Sequence, residues 1–155
     1  MLVFAILCGV LVIMLCLWLL VTSRQRKIER NQSLSIVPNL EEREKHFHLI
    51  DKWVKEEKRF TDPLIKLETV AKGLHLTDKQ VSEAINTIAC QNFKSYINKL
   101  RVQEAKSYLT NSSYSHFTNE AFAEMVGFSN KVSFYQSFKK VTGMSPADFR
   151  KSSNH

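Results

Sequence analysis

The stretch from Thr118 to Lys151, TNEAFAEMVGFSNKVSFYQSFKKVTGMSPADFRK, carries the spacing of two helices joined by a tight glycine turn. Phe122, Ala123 and Val126 fall at i, i+1 and i+4 on one helical face, and Gly127 allows the positive φ that ends a helix abruptly. Phe128 is the apolar residue that follows the turn. Ser129 is expected to cap a second helix, along which Phe134, Phe138 and Val141 recur at i, i+4 and i+7 as a stripe facing a core. With a rotation of about 100° per residue, Ser129, Val132, Gln136, Lys139 and Lys140 lie on the opposite side, a mostly polar and cationic face. The whole stretch reads as a helix-turn-helix.

A second copy of the pattern lies upstream, and internal repetition of this kind separates a built unit from chance amphipathicity. Val70, Ala71 and Leu74 match Phe122, Ala123 and Val126. His75 stands where Gly127 does, Leu76 where Phe128 does and Thr77 where Ser129 does. After one extra residue in the later turn, Val81, Ile85 and Ile88 match Phe134, Phe138 and Val141.

From about Glu41 to Lys151 the sequence resembles the DNA-binding domain of the AraC/XylS family of bacterial transcription regulators. Phe93, Tyr96, Ile97, Leu100, Arg101, Ala105 and Leu109 resemble the family's long connecting helix. Gly127-Phe128-Ser129, Ser133-Phe134-Tyr135, Phe138-Lys139-Lys140, Gly143, Ser145-Pro146 and Phe149-Arg150 resemble its signature. The resemblance implies an all-α, homeodomain-like fold of about seven helices, with two helix-turn-helix units on one rigid connector. It also implies that both recognition helices enter the major groove on one face of double-stranded DNA. Such helices must sit roughly 34 Å apart, and a connector from about Asn92 to Thr110 is long enough to space them approximately so.

By position in the family motif, the DNA contacts expected from the first unit are Lys79, Gln80, Ser82, Glu83, Asn86 and Thr87. From the second they are Ser129, Lys131, Val132, Gln136, Lys139 and Lys140. Gln136 and Asn86 have the paired donor and acceptor that adenine matches, whereas lysines neutralise phosphates and add affinity without specificity. Three residues depart from the family pattern. Glu83 replaces a residue that is often basic or neutral, so it would accept from cytosine, repel phosphate or sit solvated. His75 and Cys90 stand where glycine is frequent, which predicts two strained left-handed backbone positions and a first unit that binds more weakly.

Ahead of this domain, Met1 to Val21 is an unbroken apolar run apart from Gly9. At 1.5 Å per residue it spans roughly 31 Å, the thickness of a bilayer hydrocarbon core, and residues 1–22 are read as a transmembrane helix in contact with membrane lipid. It lacks the basic n-region and small-residue cleavage site of a signal peptide. Arg24, Arg26, Lys27 and Arg30 crowd just behind it, so the positive-inside rule expects a single-pass protein of the bacterial inner membrane with its C-terminal domain in the cytoplasm. Those four basic residues are expected to hold anionic lipid. Residues 23–40 have little periodicity and read as a juxtamembrane tether. The double helix-turn-helix domain is assigned to 41–151, and 152–155 form a tail.

Glu41 to Phe60 reads as the domain's first helix, with Phe47, Leu49, Ile50, Trp53 and Val54 towards one side and Asp62-Pro63 as its breaker. The formal charge of +7 permits nucleic acid without proving it. Cys8, Cys16 and Cys90 have neither disulfide nor zinc spacing. No phosphate-cradling glycine loop, no H-E-x-x-H and no nucleophile-base motif occurs, so neither enzyme activity nor a cofactor nor a metal is expected. His46 and His48 point to different sides of a helix, as surface residues do. The reading is therefore a membrane-tethered regulator, with RNA polymerase, a second copy or a membrane sensor as further partners. Two alternatives stay open. One is a membrane-anchored helical adaptor that keeps the fold but binds protein, and the other is the C-terminal output part of a larger membrane sensor-regulator.

Overall fold

The computed structural model describes the backbone of residues 2–153, and the side chains of residues 14, 15, 17–25 and 39–152. Among the described residues all regular structure is helical, in seven α-helices and two 3-10 helices. The chain divides into two compact units, Met1–Glu42 and Arg43–His155.

The first unit lies within α1, which runs over Leu2–Lys55. Leu17, Trp18, Leu19 and Leu20 are all exposed, so four successive positions present apolar side chains around the helix. Thr22 and Ser23 turn their hydroxyls inward, donating to the carbonyls of Leu19 at 3.1 Å and Leu20 at 2.9 Å. Among the described residues no helix is long and apolar enough to cross a membrane. The segment 1–22 expected to do so lies largely outside the described side chains, as do Arg26, Lys27, Arg30, Cys8 and Cys16. The stretch 23–40, which has little periodicity and is read as a juxtamembrane tether, is helical. Its Gln, Arg, Lys and Glu residues are straight-chain helix formers, and a helix needs no apolar stripe to form from them.

In the second unit α1 contributes Ile50 and Val54, both fully buried. It ends at Lys55, short of the expected Phe60, and a 3-10 helix over Glu56–Thr61 takes over. Glu57 and Lys58 adopt φ of 54° and 52° there, so the chain breaks before Asp62-Pro63. Left-handed backbone costs about 1–2 kcal/mol per such residue. Contacts to Trp53 and Glu104 hold the kink. Arg59 lies 4.4 Å over the Trp53 ring and donates to the Trp53 carbonyl at 3.1 Å, and the Lys58 ammonium meets Glu104 at 2.6 Å.

Helices α2 (Leu67–Gly73) and α3 (Asp78–Ile88) form the first helix-turn-helix, and α5 (Asn119–Met125) and α6 (Lys131–Thr142) the second. Between them α4 runs over Phe93–Leu109, capped by Asn92, whose side chain accepts from the Ser95 amide at 2.9 Å. The expected connector is thus in place. Tyr96, Ile97 and Leu100 from its first half join Ile50, Val54, Val70, Val81 and Ile85 in one core. Val102, Ala105 and Leu109 from its second half join Phe122, Val126, Phe128, Phe134 and Phe138 in another. Each buried Val, Leu, Ile or Phe among them stabilises by about 1.5–3 kcal/mol relative to exposure. A 3-10 helix over Ser112–Tyr114 precedes α5, and α7 (Pro146–Ser153) closes the second core. Arg150 of α7 donates to the carbonyls of Phe117 at 2.8 Å and Tyr114 at 3.1 Å.

One segment welds the two halves. Arg101 of α4 is buried and donates to the Phe60 carbonyl at 2.7 Å and the Asp62 carbonyl at 2.8 Å, while its guanidinium lies 5.6 Å over Phe128. The Gly127 turn, at φ 89°, packs so tightly on this loop that an added Cβ would collide with the Thr61 carbonyl.

Candidate nucleic-acid interface

The two recognition helices begin with different caps. Thr77 caps α3 through a reciprocal box, its hydroxyl accepting from the Gln80 amide at 3.2 Å while Gln80 Oε1 accepts from the Thr77 amide at 2.9 Å. The cap of α6 is Asn130, which accepts from the Ser133 amide at 2.8 Å, so the expected Ser129 cap is displaced by one residue. Asparagine and serine serve equally well as caps, and the extra residue in this turn moves the register to Asn130. The Ser129 hydroxyl stays exposed and accepts from Asn130 Nδ2 at 3.4 Å.

The first unit adopts the strained left-handed geometry that the sequence suggests. His75 and Cys90 have φ of 55° and 52°, while the second unit places Gly127 and Gly143 at its left-handed positions. The core stripes also match, since Val81, Ile85, Phe134 and Phe138 are fully buried. Val141 departs from expectation at 41% exposed. It lies in the last turn of α6, beside an open cleft whose α4 wall is polar, made of Lys94, Ser95, Asn98 and Lys99.

The outward face of α3 is internally occupied. Glu83 accepts from Arg43 at 3.1 Å and meets the Lys79 ammonium at 3.8 Å. Arg43 also donates to Thr87 at 3.5 Å, and Asn86 donates to Ser82 at 3.4 Å. With Gln80 in its capping box, all six residues expected to contact DNA already have a partner on the protein. Glu83 is therefore a paired carboxylate that remains partly exposed.

The outward face of α6 is open. Val132 is 63% exposed. Gln136, Lys139 and Lys140 are exposed as well and pair with nothing among the described residues. Lys131 is the exception, for it pairs with Glu120 of α5 and lies 5.4 Å over the Tyr135 ring. Its hydrogen bond to Glu120 and the attraction between the charges push the Lys131 ammonium up and hold the Glu120 carboxyl below its ordinary value. At neutral pH both stay ionised.

The sequence reading missed Arg43, Asn130 and Glu120. Asn130 was legible in the spacing Asn130-Lys131-Val132-Ser133, a polar cap ahead of a free first turn. Arg43 had no local signal, because its partner lies forty residues away in sequence. His46 and His48 join no metal site, and no group of three potential ligands occurs among the described residues.

A helix-turn-helix domain model matches residues 70–152, more than half of the chain. The bifunctional transcriptional activator/DNA repair enzyme AdaA of Bacillus subtilis (strain 168) is 34% identical over 100 residues, which cover 63% of this chain and 44% of that protein. The chain thus spans less than half the length of that relative. Among solved structures, the C-terminal domain of AraT, a response regulator from Geobacillus stearothermophilus, is similar at a TM-score of 0.59 and 25% identity, covering 69% of this chain and 84% of that one. The DNA-binding domain of AdpA, a global transcriptional factor solved in complex with a target DNA, gives a TM-score of 0.59 at 19% identity, covering 68% and 90%. That last likeness speaks for the fold alone. With its two helix-turn-helix units joined by α4 and this match, the chain belongs to the helix-turn-helix domain family of the AraC type.

Proposed function

We propose that this protein is a membrane-tethered, sequence-specific transcription regulator that inserts α3 and α6 into successive major grooves of double-stranded DNA. The observation that carries the reading is the open face of α6, where Gln136, Lys139 and Lys140 stand exposed and without partners opposite buried Phe134 and Phe138. Gln136 would pair with adenine and Val132 would meet a thymine methyl, while Lys139 and Lys140 neutralise phosphates. AdaA is by name a transcriptional activator, which supports the same role here.

The tether rests on the apolar run Met1–Val21, the all-round exposure of Leu17 to Leu20, and the basic cluster Arg24, Arg26, Lys27 and Arg30 behind it. It places the domain on the cytoplasmic side of a bacterial inner membrane. Such a regulator would act through RNA polymerase and take its signal from a membrane partner.

The test is selection from a random duplex library with the full chain in detergent, repeated with Gln136→Ala. The expected result is a motif of two half-sites about one helical turn apart, with the Gln136→Ala protein losing preference in one of them at a cost of about 1–3 kcal/mol. Binding without any sequence preference would sink the regulator. Fractionation of cells expressing the full chain and a form lacking residues 1–22 tests the tether. Only the full chain should resist alkaline extraction from membranes.

A further inference from the structure

A cleft of about 640 Å³ opens between the first half of α4 and the last turns of α6. Lys94 and Lys99 of α4 and Lys140 of α6 line it, and no acidic residue does. All three ammonium groups are exposed and unpaired among the described residues. Some lysines elsewhere on the domain pair with carboxylates. Lys55 meets Asp51 at 2.7 Å, Lys58 meets Glu104 at 2.6 Å and Lys131 meets Glu120. Three unpaired lysines thus line one concavity whose walls hold no carboxylate to neutralise them. The floor is polar, made where Asn98 Nδ2 donates to the Ser137 hydroxyl at 3.2 Å.

The position of the cleft indicates its occupant. One wall begins at Cys90, just past the end of α3, and the other ends at Val141 in the last turn of α6, so the cleft bridges the C-terminal ends of both recognition helices. Lys140 stands on the edge that the cleft shares with the outward face of α6. A duplex seated on both helices must carry its backbone across this gap between the two grooves. Each backbone phosphate that meets a lysine there releases condensed counterions, and this gain does not depend on sequence.

We propose that this cleft is a phosphate-binding site that holds the DNA backbone between the two half-sites, with Lys94 and Lys99 as its own contacts. The proposal rests on the DNA-binding reading of α3 and α6. It adds affinity and fixes the register of the second unit relative to the first, while leaving base selection to Gln136 and its neighbours.

The experiment compares the full chain with its Lys94→Gln/Lys99→Gln form, measuring affinity for the selected duplex across a salt series. Circular dichroism melts establish that both are folded. In the parent, log affinity falls linearly with log salt, and the double variant should lose about 0.9 from that slope for each lysine, with the selected motif unchanged. An unchanged slope on a parent that binds overturns the cleft and leaves the regulator standing. A changed motif also overturns it, because the lysines would then be reading bases. A parent that binds no DNA fails the functional reading itself, and the cleft with it. A second arm adds inorganic phosphate and follows the Lys94 and Lys99 ammonium signals by NMR. Saturation there with an unchanged DNA slope assigns the site to a free phosphate and overturns the DNA backbone as its occupant.

Discussion

The two helix-turn-helix units share a scaffold and differ in their surfaces. Val81 and Ile85 in the first unit, and Phe134 and Phe138 in the second, are fully buried at corresponding places. Outside the core the units diverge. On α3 the polar side chains are spent on one another and on Arg43, while on α6 Gln136, Lys139 and Lys140 have no protein partner among the described residues. A buried stripe has one solution and repeats faithfully, whereas an exposed face can be satisfied from within or left for a ligand. For the proposed DNA-binding role, the difference predicts that the second unit carries the main share of affinity and the first a positioning role.

The turns break the comparison most sharply. At Gly127 the second unit requires both φ 89° and the absence of a Cβ beside the Thr61 carbonyl. Gly127→Ala should destabilise by on the order of 4 kcal/mol, combining backbone strain with overpacking at the weld between the halves. At the corresponding His75 the φ is 55° and the side chain is exposed. His75→Gly should instead stabilise by about 0.5–1 kcal/mol, relief of strain exceeding the extra entropy of glycine in the unfolded chain. Paired denaturant titrations decide it. Two losses of equal size would mean that the first turn, too, is held by close packing.

The midsized effect lies on α3. Arg43 and Lys79 together neutralise Glu83, so a carboxylate facing the phosphates is masked by cations of the protein itself. Glu83→Gln should tighten DNA binding by about threefold to tenfold at low salt, an effect that fades as the Debye length shrinks. Arg43→Ala should weaken it by a similar factor, since the uncovered carboxylate then repels the backbone. Titration of the selected duplex at low and high salt reads both. If neither substitution moves affinity, α3 does not approach DNA and the second unit binds alone.

Most of the core was legible because apolar periodicity is a local signal. Phe122, Phe134 and Phe138, the connector from Asn92 to Thr110, and the left-handed strain at His75 and Cys90 could each be read from spacing or from one departure in a motif. Side-chain pairing across the fold could not. Nothing near Arg43 announces Glu83, and nothing near Lys131 announces Glu120, because these pairs depend on how helices are brought together. The end of α1 was misplaced for a related reason. Asp62-Pro63 is a strong local breaker, yet the chain kinks earlier at Glu57 and Lys58, where tertiary contacts to Trp53 and Glu104 hold a conformation that neither residue favours.

The smallest expected effects separate two ion pairs, one bracing the kink and one beside the reading face. Burial alone would push the Glu104 carboxyl up, but hydrogen bonds from Lys58 and Tyr108 together with the Lys58 charge hold it below its ordinary value. A carboxyl whose folded pKa is depressed contributes stability that is present above its unfolded pKa and lost as pH falls through the folded one. The melting temperature of the parent should therefore exceed that of Glu104→Gln at neutral pH, by what a partly exposed pair of up to about 1 kcal/mol provides. The gap should close on acidification below about pH 4. Glu120 is also depressed by its lysine, but that pair lies at the surface with both side chains largely exposed, where an ion pair contributes little stability. Glu120→Gln should leave the melting curve where it is at every pH and instead tighten DNA binding modestly, because Lys131 is then free for a phosphate. A pH-dependent gap in the Glu120→Gln melts would show that the reading face of the second unit, like that of the first, is built into the stability of the fold.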